Sequence, residues 1–327
     1  MSTTTPLSSS SFGLQLLRQK PLADPADTTS STSSSFSGKT VLITGANSGL
    51  GLAAAIKFAS LAASRLILAV RNTEAGHAAR RAIIEAATTT SSTSTSSRGA
   101  VNAEVEVWEL DMDSYDSITR FVRRVEEDGR RLDVVVLNAG VYMVDHRVGR
   151  YGVEETLQVN TLSTVLLAVL LLPKLKKAQH GGGGAVLEFV TSRRAEAVQL
   201  TQEQRQKGGL LLRGSTMREG DGSGSAGGGR YNPSERYRLS KFLTTCAMKK
   251  LASMVEADEV VVTAVCPGGV ATNLSRGWTG AVATIVKALV NSLFMRTPEY
   301  AARTLVSAAA VGPEVHGRLW YDDELHE

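Results

Sequence analysis

Tyr237 and Lys241 stand four residues apart in the string Tyr-Arg-Leu-Ser-Lys. On a helix that spacing places a phenol and an ammonium on one face. A free tyrosine has a pKa of about 10 and is a poor acid or base at neutral pH. A neighbouring cation stabilises its phenolate, and about 1.4 kcal/mol of such stabilisation makes the phenol ten times more acidic. The pair therefore suits the movement of a proton on and off an oxygen atom. Taken alone, Y-x-x-x-K is a string that occurs often by chance. A hydroxyl able to hold the reacting oxygen is at hand in Ser192, which closes the run Phe189-Val190-Thr191-Ser192.

A second group of residues suits an anion. Val41-Leu42-Ile43 leads into Thr44-Gly45-Ala46-Asn47-Ser48-Gly49-Leu50-Gly51, and a helical period follows at once. Glycines there let the backbone turn tightly and let a pyrophosphate approach the free N–H groups of a helix N-terminus. The spacing is G-x-x-x-G-x-G rather than G-x-G-x-x-G, and the bland reading is a tight strand-to-helix turn. A further run ends in Ala69-Val70-Arg71-Asn72. An acidic residue at that place would hold the ribose 2′-hydroxyl of NAD, whereas an arginine meets the 2′-phosphate of NADP. Arg71 thus predicts NADP(H), its alternative being a solvated strand-end arginine. Asp111, just past a third run, is placed for an adenine amino group; Asp111 or Asp113 could equally cap the helix that follows.

These residues need a scaffold, and the chain offers one. Residues 41–43, 66–70, 105–108, 134–137, 186–190 and 260–265 read as six strands, most of them apolar throughout. That is the mark of parallel strands covered on both faces. Helical stretches fall at about 50–63, 73–87, 114–128, 153–178 and 235–256. The alternation predicts right-handed crossovers and a doubly wound, mostly parallel α/β sheet, with residues 317–321 as a seventh strand. The chemistry-bearing residues gather at strand ends: Asn138-Ala139-Gly140 after the fourth run, Ser192 after the fifth, and Pro267 to Thr272 after the sixth. Asn160 lies in the fourth helix.

Composition sets the limits. The chain has 327 residues, a net charge of +4 and two cysteines, Cys246 and Cys266. Neither a disulfide framework nor a metal site is expected, and a reducing compartment fits. The 36 basic residues against 32 acidic ones occur in short groups, so no nucleic-acid stripe is predicted. The apolar run 165–172 is well short of the ~18 residues that span a bilayer, so no integral membrane segment is expected. Residues 1–37 form a Ser/Thr-rich leader without the pattern of a secretory signal, and read as disordered. Cytoplasmic residence is the expectation, with organelle import as the alternative. Low-complexity insertions at 88–99 and about 195–230 interrupt a single domain spanning 38–327; loop-closure entropy makes such length inexpensive.

In this order and context, Thr44 to Gly51, Asn138 to Gly140, Asn160, Ser192, Tyr237 with Lys241, and Pro267 to Thr272 resemble the short-chain dehydrogenase/reductase family across about residues 38 to 321. The resemblance implies a Rossmann-type domain that passes a hydride between NADP(H) and a small carbonyl or alcohol substrate. It implies Tyr237 as general acid/base, Lys241 holding the nicotinamide ribose and lowering the tyrosine pKa, and Ser192 orienting the substrate oxygen. Asn160 would anchor a proton-relaying water. Gly45, Asn47, Ser48, Gly49, Leu50, Gly51, Arg71, Asp111, Asn138, the Val270 backbone and Thr272 would hold the cofactor, together with Tyr237 and Lys241. Residues 152–173 look most like fungal members tied to secondary metabolism, which implies a ketoreductase or dehydrogenase of such a pathway.

Two departures stand out. The interval from Ser192 to Tyr237 is long for the family, and Arg193-Arg194 follow the serine where small residues are commoner. An arginine facing the pocket would imply an acidic substrate; solvent exposure is the default reading. Rival functions are a non-catalytic NADP(H)-binding sensor or scaffold, and a peripheral membrane enzyme using residues 278–294 as an amphipathic helix. The apolar helix around 162–172 fits either plain core or the interface of a homo-oligomer.

Overall fold

Runs such as Thr40–Thr44 and Val260–Val265 carry no charge on either face, and in the computed structural model both are buried at every position. The structure describes residues 36–93, 103–178, 184–198, 231–271 and 295–326. The strands are β1 (Thr40–Thr44), β2 (Arg65–Val70), β3 (Glu104–Glu109), β4 (Val134–Leu137), β5 (Ala185–Val190), β6 (Val260–Val265), β7 (Leu319–Tyr321) and β8 (Glu324–His326). They form one eight-stranded sheet in the order β3-β2-β1-β4-β5-β6-β7-β8. All neighbours are parallel except β7 and β8. The sheet therefore has one strand more than the seven expected. β8 is three residues long and largely exposed, so it lacks the buried apolar pattern that marks the others. Asp322 and Asp323, both at positive φ (52° and 57°), make the turn that folds it back.

Two helical layers cover the sheet. Helices α1 (Gly49–Ser60), α2 (Thr73–Thr93) and α6 (Pro298–Val311) pack on one face with Val41, Ile43, Leu66, Leu68, Val134 and Val136. Helices α3 (Tyr115–Glu127), α4 (Glu155–Lys176) and α5 (Pro233–Ala252) pack on the other with Leu42, Ile67, Val135, Leu187 and Phe189. Alternate residues of each strand thus feed opposite cores, as the period of two requires. α4 is long and apolar enough to cross a membrane by length and composition alone. Leu167, Ala168, Leu171 and Leu175 in it are fully buried, which is the behaviour of a core helix.

Several boundaries depart from the sequence expectation. Phe36, placed in the leader, is buried and packs edge-on against Phe58 at 4.8 Å. α2 runs on to Thr93, through the first residues of the Ser/Thr run. Thr88 Oγ1 donates back to the Ile84 and Glu85 carbonyls, which lets a threonine continue the helix. Arg193–Ala197 forms a 3₁₀ turn, which runs into the stretch read as an insertion from about 195. The helix α6 was not foreseen. The rest of the leader, the insertions beyond these residues, Thr272 and the 278–294 segment lie outside the described residues.

Candidate active site

Parallel strands deliver their carboxyl ends to one edge of the sheet, and the order reverses between β2-β1 and β4-β5. At such a switch point two loops diverge and leave a crevice. The Gly45–Leu50 turn follows β1 and Asn138 follows β4 at this point. Gly45 has φ +68°, and a Cβ there would lie 3.1 Å from Ala139 Cα. A Cβ on Gly51 would lie 2.6 Å from both the Gly45 carbonyl oxygen and Asn138 Nδ2. Asn138 Nδ2 donates to the Thr44 carbonyl (2.9 Å), and Ala139 N–H donates to Thr44 Oγ1 (2.9 Å). The side chain of Asn138 is therefore a brace for the glycine turn. Ser48 is the N-cap of α1, but its side chain makes no capping hydrogen bond, and the first turn holds no acidic residue. The Asn47–Leu50 end of α1 thus presents N–H groups and the positive end of the helix dipole, in a cradle that only glycine keeps open. These residues fit a pyrophosphate.

The part of the edge beyond β2 and β3 is polar. Arg71 is exposed, just past β2. Asp111 Oδ1 accepts from the Asp113 N–H (3.1 Å), while the Asp111 N–H donates to Ser117 Oγ (3.0 Å). Neither aspartate caps α3. Ser114 does, accepting from the Ser117 N–H, because Asp111 is spent on its own turn. Arg150 lies 3.7 Å from Asp111 and 3.7 Å from Asp113, beside a cavity of about 650 Å³ lined by Asp113, His146, Arg147 and Glu155.

The side that carries Tyr237 and Lys241 is built around α5. Asn232 Oδ1 accepts from the Ser234 and Glu235 N–H groups, and Pro233 takes the first helical position, so the helix starts two turns before Lys241. Lys241 is buried, and its Nζ donates to the Val190 carbonyl at 2.8 Å. The same ammonium lies 5.8 Å from the Tyr237 ring centre. Burial pulls the Lys241 pKa down to about 8. Burial also pushes the Tyr237 phenol up, helped by Cys266 and Tyr142 and opposed by Arg194. The sequence expectation was a lowered tyrosine. In the protein alone burial dominates at the phenol, while the Lys241 ammonium donates to the Val190 carbonyl. Ser192 Oγ accepts from the Arg194 N–H at 3.3 Å, which leaves its own proton to donate.

Asn160 sits in a six-residue π-helical segment of α4, Gln158–Ser163, a wide turn of the kind found at functional sites. Its Nδ2 donates to the Val141 carbonyl (2.9 Å) and to Ser240 Oγ (3.1 Å), and its Oδ1 accepts from the Val141 N–H (2.8 Å). Ser240 Oγ donates in turn to the Tyr237 carbonyl (2.8 Å). Asn160 therefore ties the loop after β4 to the backbone of α5.

Residues to which the sequence reading gave no catalytic or cofactor-binding role lie beside these. Thr191 Oγ1 shares a 2.9 Å hydrogen bond with Thr245 Oγ1, stitching β5 to α5. The Tyr142 ring lies 5.5 Å from that of Tyr237. Cys266 Sγ accepts from the Arg193 N–H at 3.2 Å. The signal for all three was adjacency to a motif residue. Beyond β6, the Ala271 N–H donates to the Arg296 carbonyl and the Arg296 N–H to the Gly269 carbonyl. In extended chain the N–H and C=O of Val270 then face the opposite edge, away from Arg296.

Residues 39–198 match the family model for short chain dehydrogenases. Over 324 residues the chain is 35% identical to the short-chain dehydrogenase/reductase phmF of Phaeosphaeria nodorum, covering 99% of this chain and 87% of that protein. The chain belongs to the short-chain dehydrogenase/reductase family. It is an oxidoreductase acting on CH–OH and C=O groups, and the family's substrates are small molecules. The short chain dehydrogenase opdN of Penicillium oxalicum is 35% identical over 325 residues, covering 96% of this chain and 95% of that one. Among solved structures, a short-chain type dehydrogenase/reductase from Mycobacterium marinum superposes with a TM-score of 0.62 at 17% identity, over 88% of this chain and 94% of that one. A short chain dehydrogenase from Escherichia coli, solved with NADPH, gives 0.60 at 21% identity, over 90% and 100%. These two share the fold.

Proposed function

We propose that this chain is an NADP(H)-dependent reductase, working reversibly as a dehydrogenase, on a small carbonyl or alcohol substrate. The observation that carries the reading is the gathering of Tyr237, Lys241 and Ser192 at one sheet edge, beside the α1 cradle. The Asn47–Leu50 turn would hold the pyrophosphate, Arg71 the 2′-phosphate, Asp111 the adenine amine, and the Val270 backbone and Lys241 the nicotinamide end. When bound, the reduced nicotinamide supplies a hydride to the carbonyl carbon.

The protein's own part is at the oxygen. Ser192 donates a hydrogen bond through its hydroxyl to the substrate oxygen, keeping its own proton, and fixes that oxygen's position. Tyr237, kept protonated by burial, gives its proton to that oxygen as the hydride arrives, so the carbonyl becomes an alcohol with one hydride and one proton gained. Lys241, its pKa lowered to about 8 by burial, stays mostly protonated at neutral pH, and its charge favours the tyrosinate left behind. Asn160 keeps α5 in register with the loop after β4. In the direction of oxidation each transfer reverses.

Residence in the cytoplasm and a role as a ketoreductase or dehydrogenase of secondary-metabolite biosynthesis go with the reading, supported by the likeness of residues 152–173 to fungal members. The test is NADPH oxidation by the purified protein against a panel of ketones and aldehydes. Turnover with NADPH, and a shift toward NADH in Arg71→Asp, would support the proposal. Equal use of both cofactors by the parent protein would remove the NADP(H) assignment, and failure with every carbonyl would remove the reaction.

A further inference from the structure

Gly268, Gly269, Val270 and Ala271 have little side chain of their own to fix the loop after β6, and a buried arginine does it for them. Gly268 has φ +79°, and a Cβ there would lie 3.3 Å from Arg296 Nη1 and 3.5 Å from its Cδ and Cζ, so the Arg296 side chain packs directly on the turn. The main chain of Arg296 pairs with Gly269 and Ala271, and bridges Val270 in parallel. That pairing leaves the Val270 N–H and C=O on the opposite edge. A buried guanidinium needs a counter-charge. Asp322 supplies one, 2.8 Å from Arg296 Nη2.

Asp322 stands in the turn between β7 and β8 at φ +52°, and that turn is itself anchored. The Cys266 N–H donates to the Trp320 carbonyl (2.9 Å). Trp320 Nε1 donates to Ser307 Oγ (3.0 Å), and Ser307 Oγ donates to Asp323 Oδ1 (2.7 Å). The turn is therefore held on β6 and α6 whether or not Asp322 is present. Asp322 also lies 3.6 Å from Arg193, whose guanidinium is 4.3 Å from the Tyr321 ring centre. The chain leaving β5 and the chain leaving β6 are thus tied to one carboxylate.

We propose that Asp322 is a positioning residue for the nicotinamide end of the cofactor: through Arg296 it sets the Gly268–Ala271 loop, and so the place of the Val270 backbone. This rests on the NADP(H) reading above. Because Asp322 acts at that end alone, its loss is felt by a ligand that carries nicotinamide and not by one that lacks it. The test compares NADPH with adenosine 2′,5′-bisphosphate, which keeps the adenosine and the 2′-phosphate but has no nicotinamide. Calorimetric titration of the full chain gives Kd for each.

Asp322→Gly removes the carboxylate and keeps the turn, since glycine takes positive φ without strain. Its Kd for NADPH is expected to rise about tenfold, with that for the bisphosphate within about twofold of wild type. Asp322→Asn also tolerates positive φ and keeps an acceptor for Arg296, so it should recover part of the loss. Asp323→Asn, one residue along the same turn, should bind both ligands as wild type does. Affinity lost for both ligands together in Asp322→Gly, or for neither, overturns the proposal, as does an equal loss in Asp323→Asn. Should Asp322→Gly not fold, Asp322→Asn decides: a Kd raised for NADPH alone supports the proposal, and an unchanged one overturns it while leaving the cofactor reading in place. A wild-type protein that binds neither ligand overturns both.

Discussion

Gly51→Ala puts a methyl group into the narrowest part of the cofactor cradle. Gly51 lies in the first turn of α1, where alanine is favoured over glycine by about 1 kcal/mol on helix propensity. Sterics oppose that gain, because the new Cβ would lie 2.6 Å from the Gly45 carbonyl oxygen and 2.6 Å from Asn138 Nδ2. The first contact is with backbone, which cannot swing away. The second is with the amide that braces the turn through Thr44 and Gly45. Overpacking of this kind costs about 1–3 kcal/mol, and loss of the Asn138 brace adds about 1 kcal/mol. The sum, less the propensity gain, is a net loss of about 1–3 kcal/mol, or several degrees in Tm for a domain of this size. The turn must open to relieve the contact, so its N–H groups leave their places and NADPH affinity should fall about tenfold or more. Thermal unfolding and NADPH fluorescence titration measure the two effects. A variant more stable than the parent, with NADPH affinity unchanged, would refute the steric reasoning.

Glu188 is fully buried in β5 with neither carboxylate oxygen hydrogen-bonded among the described residues, and burial raises its pKa well above the usual range. Below the carboxylate pKa of the unfolded chain both states hold the proton. Above it the unfolded chain ionises first, so stability is lost as pH rises toward the folded value, by up to about 1.4 kcal/mol per pH unit. Glu188→Leu should therefore stabilise the protein more at about pH 8 than at about pH 5 in urea unfolding; equal effects at both would count against the buried acid. Asn160→Ala removes three hydrogen bonds to Val141 and Ser240, and is expected to lower stability by about 2 kcal/mol or more and kcat more than KM. Unaltered kcat would detach Asn160 from the alignment of α5. Tyr231→Phe loses the bonds to Glu154 and to the Met143 carbonyl. Denaturant unfolding should register about 1–2 kcal/mol, and no change would mean that the latch carries no load.

Strands β1, β2, β4, β5 and β6 are readable because parallel strands buried on both faces leave near-continuous apolar runs. The helices on both sheet faces follow from their period and from strand-to-helix turns. The small elements are not readable in the same way. β8 has no buried face, and its aspartate turn has the sequence of an ordinary polar loop. The helix α6 did carry a signal, Thr297 accepting from Tyr300 and Pro298 at the first helical position, but its alanine-rich body gives a weak apolar contrast. The candidate site is legible where a motif names the residue, as at Tyr237, Ser192 and Gly51. It is not legible where tertiary contact decides the role. The π-helical turn at Asn160 is set by Thr244 Oγ1 reaching the Asn160 carbonyl, the brace role of Asn138 by the turn that it faces, and the raised tyrosine by burial. The placement of Arg193 depends on Asp322 and Tyr321, more than a hundred residues further along the chain.

The central claim is that Tyr237 carries the proton that accompanies the hydride. Tyr237→Phe keeps the ring and its packing against Tyr142 and removes only the hydroxyl. Single-turnover NADPH oxidation with a reducible carbonyl, alongside NADPH titration, measures that change most directly. The account predicts a rate at least about a hundredfold below wild type, in keeping with the usual contribution of general acid catalysis, with NADPH affinity within about threefold. A variant that transfers hydride at near the wild-type rate would contradict it.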